Sequence, residues 1–153
     1  NFAKALLLIK EIDPYLKKGT LDKYKKIFET QKLEVEQKEE IKEKMRAYEG
    51  KWVSSAEESK TGIIEVAIHS IGGELANFSM SYSEKSGTGR IASAKYITGT
   101  VSGNNVSAVY KDNFGNQGRI TLTLKENSII VSAKESYSSN KGFGLACRGT
   151  LYK

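Results

Sequence analysis

The apolar positions along this 153-residue chain recur at two different periods, and the change falls within a few residues of Gly50-Lys51-Trp52. Ahead of that point the spacing is three and four, as on one face of a helix. Residues 2–12 read as a first helix with Phe2, Leu6 and Ile9 on a broad apolar face. Asp13-Pro14 predicts a break, because the residue before a proline is biased out of the helical region. Lys17-Lys18-Gly19 reads as a helix end, with cations in the last turn and glycine beyond them. Thr20 is then the N-cap of a second helix over about 21–48, whose apolar positions are Leu21, Tyr24, Ile27, Phe28, Val35, Ile41, Met45 and Tyr48. Its middle is thin in apolar residues, while Glu34–Lys38 and Glu40–Lys44 have the spacing of helical ion pairs. The stripe is too interrupted for a heptad coiled coil. The simplest reading is a solvated helix packed by one edge, or a stalk, with a partner helix as the alternative.

From residue 51 the period becomes two. Ile120, Leu122 and Leu124 alternate with Arg119, Thr121, Thr123 and Lys125. The same alternation marks Ile64, Val66 and Ile68, then Ala76, Phe78, Met80 and Tyr82, then Val106, Ala108 and Tyr110. Phe143, Leu145, Cys147 and Leu151 share one face of the last strand. Glycine, serine and asparagine clusters punctuate these runs, and 12 of the 14 glycines lie beyond Gly50. Eight strands are predicted, near 51–55, 62–69, 74–83, 90–100, 105–111, 118–125, 128–134 and 143–152. With short links and no proline after residue 50, they suit an eight-stranded antiparallel up-and-down barrel, which leaves no exposed edge. An open β-sandwich is the competing architecture. The predicted organisation is a helical segment over 1–49 and a β-barrel domain over 50–153.

Composition adds restraint more than direction. The net charge of +6 is interspersed instead of clustered on one element, so the chain lacks the usual footprint of a dedicated nucleic-acid binder. One cysteine, Cys147, cannot form an internal disulfide and leaves the compartment open. No run approaches the roughly 18 to 20 apolar residues of a membrane-spanning helix. Ala5-Leu6-Leu7-Leu8-Ile9 is short, and membrane attachment is expected only through a segment upstream of Asn1.

With eight strands in view, Gly50-Lys51-Trp52 resembles the Gly-x-Trp that opens the barrel in lipocalins and the wider calycin group. Those barrels carry a basic residue on the final strand that lies over the tryptophan, and Arg148 stands in a similar place. The resemblance implies a barrel floor closed by Trp52 with the Arg148 guanidinium on its ring. It covers about 100 residues but rests on three positions. The helical segment lies before the barrel, where lipocalins place their main helix after it, and the lipocalin disulfides are missing. The stretch 112–118, Asp-Asn-Phe-Gly-Asn-Gln-Gly, is also similar to small β domains of bacterial envelope proteins, a likeness that implies no activity.

Catalytic chemistry finds little material. His69 alternates with Ile64, Val66 and Ile68 and so faces solvent, whereas Cys147 lies on the apolar face, where a free cysteine is usually a small buried hydrophobe. A Cys/His site needs the two side by side. One His and one Cys cannot complete a zinc site, and no calcium loop occurs, so no metal or cofactor is expected. Glu57, Glu58, Glu65, Glu74, Asp112 and Glu135 are acid–base candidates by type only and read as surface charge. The loop 86–90, Ser-Gly-Thr-Gly-Arg, lacks the ending of a phosphate loop and reads as a hairpin turn. Sequons at Asn77 and Asn105 are common by chance.

The tyrosines are more informative. Tyr82, Tyr96 and Tyr110 fall on three strands, with Phe78 and Met80 nearby and Arg90, Lys95 and Lys111 flanking. Tyrosine suits a pocket or a contact surface, although a barrel of this size also fills its interior with its own side chains. The sequence does not state an activity. The expectation is a non-enzymatic barrel module, at the cell envelope or outside the cell, that binds a small apolar ligand or a protein partner through Phe78, Met80, Tyr82, Tyr96 and Tyr110. The alternative is a nucleic-acid or polyanion binder using a basic, tyrosine-bearing face.

Overall fold

The computed structural model describes residues 4, 7, 8, 18–55, 62–85, 87 and 89–153. The chain divides into two compact units, Asn1–Lys42 and Glu43–Lys153. Within the first unit, most of the predicted helix 2–12, the break at Pro14 and the cap signals before Lys18 lie outside the described residues; Lys4, Leu7 and Leu8 are helical. Helix α1 spans Lys18–Arg46. Gly19 and Thr20 therefore sit inside the helix and are not its stop and its cap. Glycine ends a helix by taking a positive φ, and Gly19 does not have one. Along α1 the ion pairs formed are Lys42–Glu39 at 3.3 Å and Arg46–Glu43 at 3.0 Å, both at a separation of three. The predicted pairs were at a separation of four.

The second unit is a closed eight-stranded antiparallel barrel with strands paired in chain order, β1 to β8, and β8 returning to β1. The strands are β1 Gly50–Ser54, β2 Gly62–Gly72, β3 Leu75–Glu84, β4 Ile91–Ser102, β5 Asn105–Lys111, β6 Gln117–Leu124, β7 Ile129–Tyr137 and β8 Cys147–Tyr152. The period-two pattern explains the arrangement: on β6, Ile120, Leu122 and Leu124 are buried while Arg119, Thr121 and Thr123 face out. Gly50 takes a φ of +117°, a conformation a side chain would strain, and this turns the chain from α1 into β1.

Three bulges interrupt the ladders. His69 is the extra residue between Ile68↔Phe78 and Ser70↔Asn77. Lys95 and Tyr96 together oppose Ser79, and Ser136 is the extra residue near Gln117. The last strand begins at Cys147, later than residue 143, because 143–146 leave the ladder to cover one end of the barrel.

Residues 43–49 belong to the barrel unit. Tyr48 donates its hydroxyl to the Lys125 carbonyl at 2.8 Å, the Ile71 N–H donates to Glu49 at 3.3 Å, and Met45 joins the core. A chain starting at Glu43 is expected to fold alone, with a strand-type circular dichroism spectrum and one cooperative melt. A chain starting at Lys51 should be less stable by about 3 kcal/mol or more, having lost an apolar residue and several hydrogen bonds. Equal stability of the two fragments would show that 43–49 contribute nothing to the barrel.

Candidate functional site

The lumen is filled. Phe78, Val66, Ala92, Val106, Ile120, Leu122, Ile129, Val131, Leu145 and Leu151 each round to 0% exposed. Surface next to an internal void would still admit a water-sized probe, so no such void touches these ten side chains. Eight strands enclose a space just wide enough for side chains, and here apolar residues from every strand occupy it, Trp52 from β1 and aliphatic side chains among those of the other seven.

One end is closed around Trp52, which is 4% exposed. Its indole N–H donates to the Tyr48 carbonyl at 2.8 Å, and the Tyr48 ring stacks on it at 6.0 Å. The cation over the indole is Lys153, with Nζ 5.5 Å from the ring centroid and donating to the Ala47 carbonyl at 2.8 Å. This corrects the expectation for Arg148. Val53 pairs with Tyr152, which carries Lys153 to the level of Trp52. Arg148 lies opposite Ser132, exposed on the outer wall.

The other end is closed by the loop after β7, and a buried polar pair holds it. Asp112 is 5% and Asn116 1% exposed. The Asp112 carboxylate accepts from the N–H groups of Phe114 at 3.0 Å, Asn116 at 2.9 Å and Leu145 at 3.0 Å, and from the Asn116 amide at 3.0 Å. Asn116 also donates to the Phe143 carbonyl at 2.8 Å and accepts from the Ser139 N–H and hydroxyl at 2.9 and 3.0 Å. A Cβ on Gly144 would stand 2.4 Å from the Asn116 amide, so only glycine lets the loop approach this pair. Asn113 binds the turn to β4 through Ser93 and Ile91. Above the core, Phe143 stacks with Tyr82 at 5.8 Å, meets Phe114 edge-on at 5.4 Å and lies under Arg90 at 4.7 Å. Arg90 is fixed in turn by two hydrogen bonds to Glu84.

The five predicted contact residues do not form one surface. Phe78 and Met80 are core, Tyr82 is half-buried in the aromatic cap, and Tyr110 is 5% exposed inside the barrel. The Tyr110 hydroxyl has no partner among the described residues. Burial first, then the charges of Asp112, Glu135 and Cys147, push its phenol up to about 12. Tyr96 is apart from the others. It is 93% exposed and has a φ of +57°, a conformation that costs a non-glycine residue roughly 1–2 kcal/mol. His69 meets Ser79 on the outer wall at 3.2 Å, whereas Cys147 packs against the core, its thiol pushed up to about 12 by burial. The two lie on opposite faces of the wall. Glu57 and Glu58 fall outside the described residues.

A feature that the linear reading missed lies on the outside of β6–β8. There Arg119, Thr121 and Thr123 of β6, Ile130, Ser132 and Lys134 of β7, and Arg148 of β8 line an open concavity of about 430 Å³, a size typical of small-ligand sites. Arg119 is registered directly opposite Lys134, Thr121 opposite Ser132, and Ser132 opposite Arg148. Among the described residues none of the three cations has an ion-pair partner; Arg119 makes one long contact, 3.4 Å, to Ser107. Two like charges on directly opposed positions cost roughly a few tenths of a kcal/mol. The alternation of Arg119, Thr121 and Thr123 was visible in the sequence. Their meeting with Lys134 and Arg148 depends on register, which it does not display.

Among the described residues no three His, Cys, Asp and Glu side chains gather as a metal site requires. No protein-family model matches the chain, and no curated protein or solved structure is detectably similar to it.

Asn116→Ala should cost about 3 kcal/mol, because it strips donors from a buried carboxylate and a buried carbonyl at once. Urea unfolding measures this, and a loss under about 1 kcal/mol would mean the loop is held by its apolar contacts alone. Tyr96→Asn should stabilise the barrel by about 1 kcal/mol, since asparagine tolerates the left-handed region and the exposed ring packs on little. A destabilised variant would show instead that the tyrosine ring contributes to the fold.

Proposed function

We propose that this chain is a non-enzymatic binding module that meets its ligand on the outer wall of the barrel and not in the lumen. The observation that carries this reading is the filled interior. An apolar ligand of the calycin kind needs space beside Phe78 and Met80, which are 0% and 2% exposed, and displacing a packed core is costly. The ends are closed as well, by Trp52 with Lys153 and by Phe143 with the Asp112–Asn116 pair. The eight-stranded barrel is compatible with the calycin likeness, and the envelope or extracellular setting expected from the sequence rests on that likeness and on that of residues 112–118 to bacterial envelope β domains. A second reading, nucleic-acid binding at the β4–β5 side, is favoured by Tyr96, whose backbone is strained and whose ring is exposed beside Lys95 in the chain, with Lys111 exposed at the end of β5.

A fluorescent fatty acid titrated into the protein should show no saturable uptake, and Trp52 emission should stay unchanged. Stoichiometric uptake that Phe78→Trp abolishes would place the ligand in the lumen and sink the proposal.

A further inference from the structure

We propose that the outer wall over β6–β8 is a phosphate-binding site, with Arg119, Lys134 and Arg148 as its cations and Thr121 and Ser132 as its hydroxyl donors. The inference rests on the outer-wall reading above and gives it a ligand class.

The register lays the site out as a grid. One row holds Arg119 and Lys134, the next holds Thr121, Ser132 and Arg148, and the third holds Thr123, Ile130 and Thr150. Neighbouring strands stand about 4.8 Å apart and alternate residues along a strand about 6.8 Å apart. Lys134 and Arg148 are thus diagonal neighbours, roughly 7–8 Å apart, and with Arg119 they line the concavity that Thr121 and Ser132 also line. The two hydroxyls are central and half-buried, while the cations stand exposed at the border.

Charge selects the ligand. Three cations line one concavity, and among the described residues no carboxylate lies within ion-pair distance of them, unlike Lys51, paired with Glu65 at 2.9 Å, and Arg90, paired with Glu84 at 2.8 Å. A single carboxylate is satisfied by one bidentate arginine and would leave two charges facing each other. A phosphate monoester or inorganic phosphate carries close to two negative charges and three or more acceptor oxygens, enough for two guanidinium groups, an ammonium and two hydroxyls at once. A phosphodiester has one charge per group, so a nucleic-acid backbone matches the cluster less well. The phosphate has two possible sources, a free small molecule or a group carried on a polymer.

Calorimetry at low salt with pyrophosphate, long-chain polyphosphate and a single-stranded oligothymidylate as separate probes tests the site. Expected is saturable binding of pyrophosphate that weakens about tenfold on Arg119→Gln and again on Arg148→Gln, the loss typical of a charge-assisted contact. Lys95→Gln with Lys111→Gln should leave it unchanged. The altered residues are exposed, so the variants should keep their melting temperature, which doubles as the folding control. Binding of polyphosphate alone, with the same dependence on Arg119 and Arg148, overturns the choice of a doubly charged phosphate, because internal polyphosphate groups carry one charge each as a phosphodiester does. Failure of both phosphates to bind overturns the proposal. So does oligothymidylate binding that tracks Tyr96, Lys95 and Lys111, which makes the β4–β5 side a nucleic-acid surface. Fatty-acid uptake into the lumen is read separately by Trp52, so a failed outer-wall reading and a failed phosphate site give different results.

Discussion

The barrel depends on one buried carboxylate whose acceptor capacity is fully used. Asp112 lies under the loop after β7 and accepts four hydrogen bonds from three backbone N–H groups and one side-chain amide. A buried carboxylate without such donors would cost several kcal/mol. With them it becomes a fixed point from which Asn116 reaches both Phe143 and Ser139. The position of Phe143 follows, and with it the stacking of Tyr82 and the placement of Arg90. One end of the lumen is therefore sealed by polar geometry and the other by an indole under a lysine. The two seals differ in chemistry but both cover the apolar interior.

The outer wall of a barrel obeys different rules from its lumen. Inward positions must be apolar and of the right volume, which leaves them little freedom for recognition. Outward positions are constrained only by solubility and by cross-strand neighbours, so charge can gather there at small cost. The β6–β8 wall uses that freedom for cations and hydroxyls. The β2–β4 wall carries small and neutral polar groups such as Ser79, Ser81 and Ser93 beside Lys95, with Tyr96 projecting from it.

Much of the fold was legible because each strand buries one face. The alternation at 64–68, 76–82 and 119–125 located strands to within a few residues and identified the core residues of β2, β3 and β6, whereas Ala92, Ala94 and Ile97 of β4 and Ile129, Val131 and Ala133 of β7 went unnamed. Two of the three bulges leave a trace in the apolar pattern, which steps by three from Ile68 to Ile71 and from Ala94 to Ile97, each step marking one extra residue; the bulge at Ser136 lies among exposed positions and leaves none. What could not be read was register. Arg148 and Lys153 are both basic and both near the final strand, and only the register with Val53 decides which reaches Trp52. Arg119, Lys134 and Arg148 are some fifteen residues apart in sequence, so their charges looked dispersed until three adjacent strands brought them together. The stretch 112–118 stood out by composition, but its partners at 139 and 143–145 are joined to it only by the closed barrel.

The seam between β8 and β1 has a consequence for how the barrel forms and breathes. Every other seam joins strands consecutive in the chain, whereas this one asks Val53 to find Tyr152 across nearly the whole domain, and among the described residues two pairs, Val53 with Tyr152 and Ser54 with Leu151, form it. Long-range closure is entropically slow and is rewarded late, so hairpins should assemble into a curled, open sheet before the cylinder shuts. In the finished protein the same seam is the place where the cylinder can part with fewest ladder bonds broken. Amide protons at Val53, Ser54 and Leu151 should therefore exchange by opening of that seam, on a faster clock than those of β3 and β6, which wait for global unfolding.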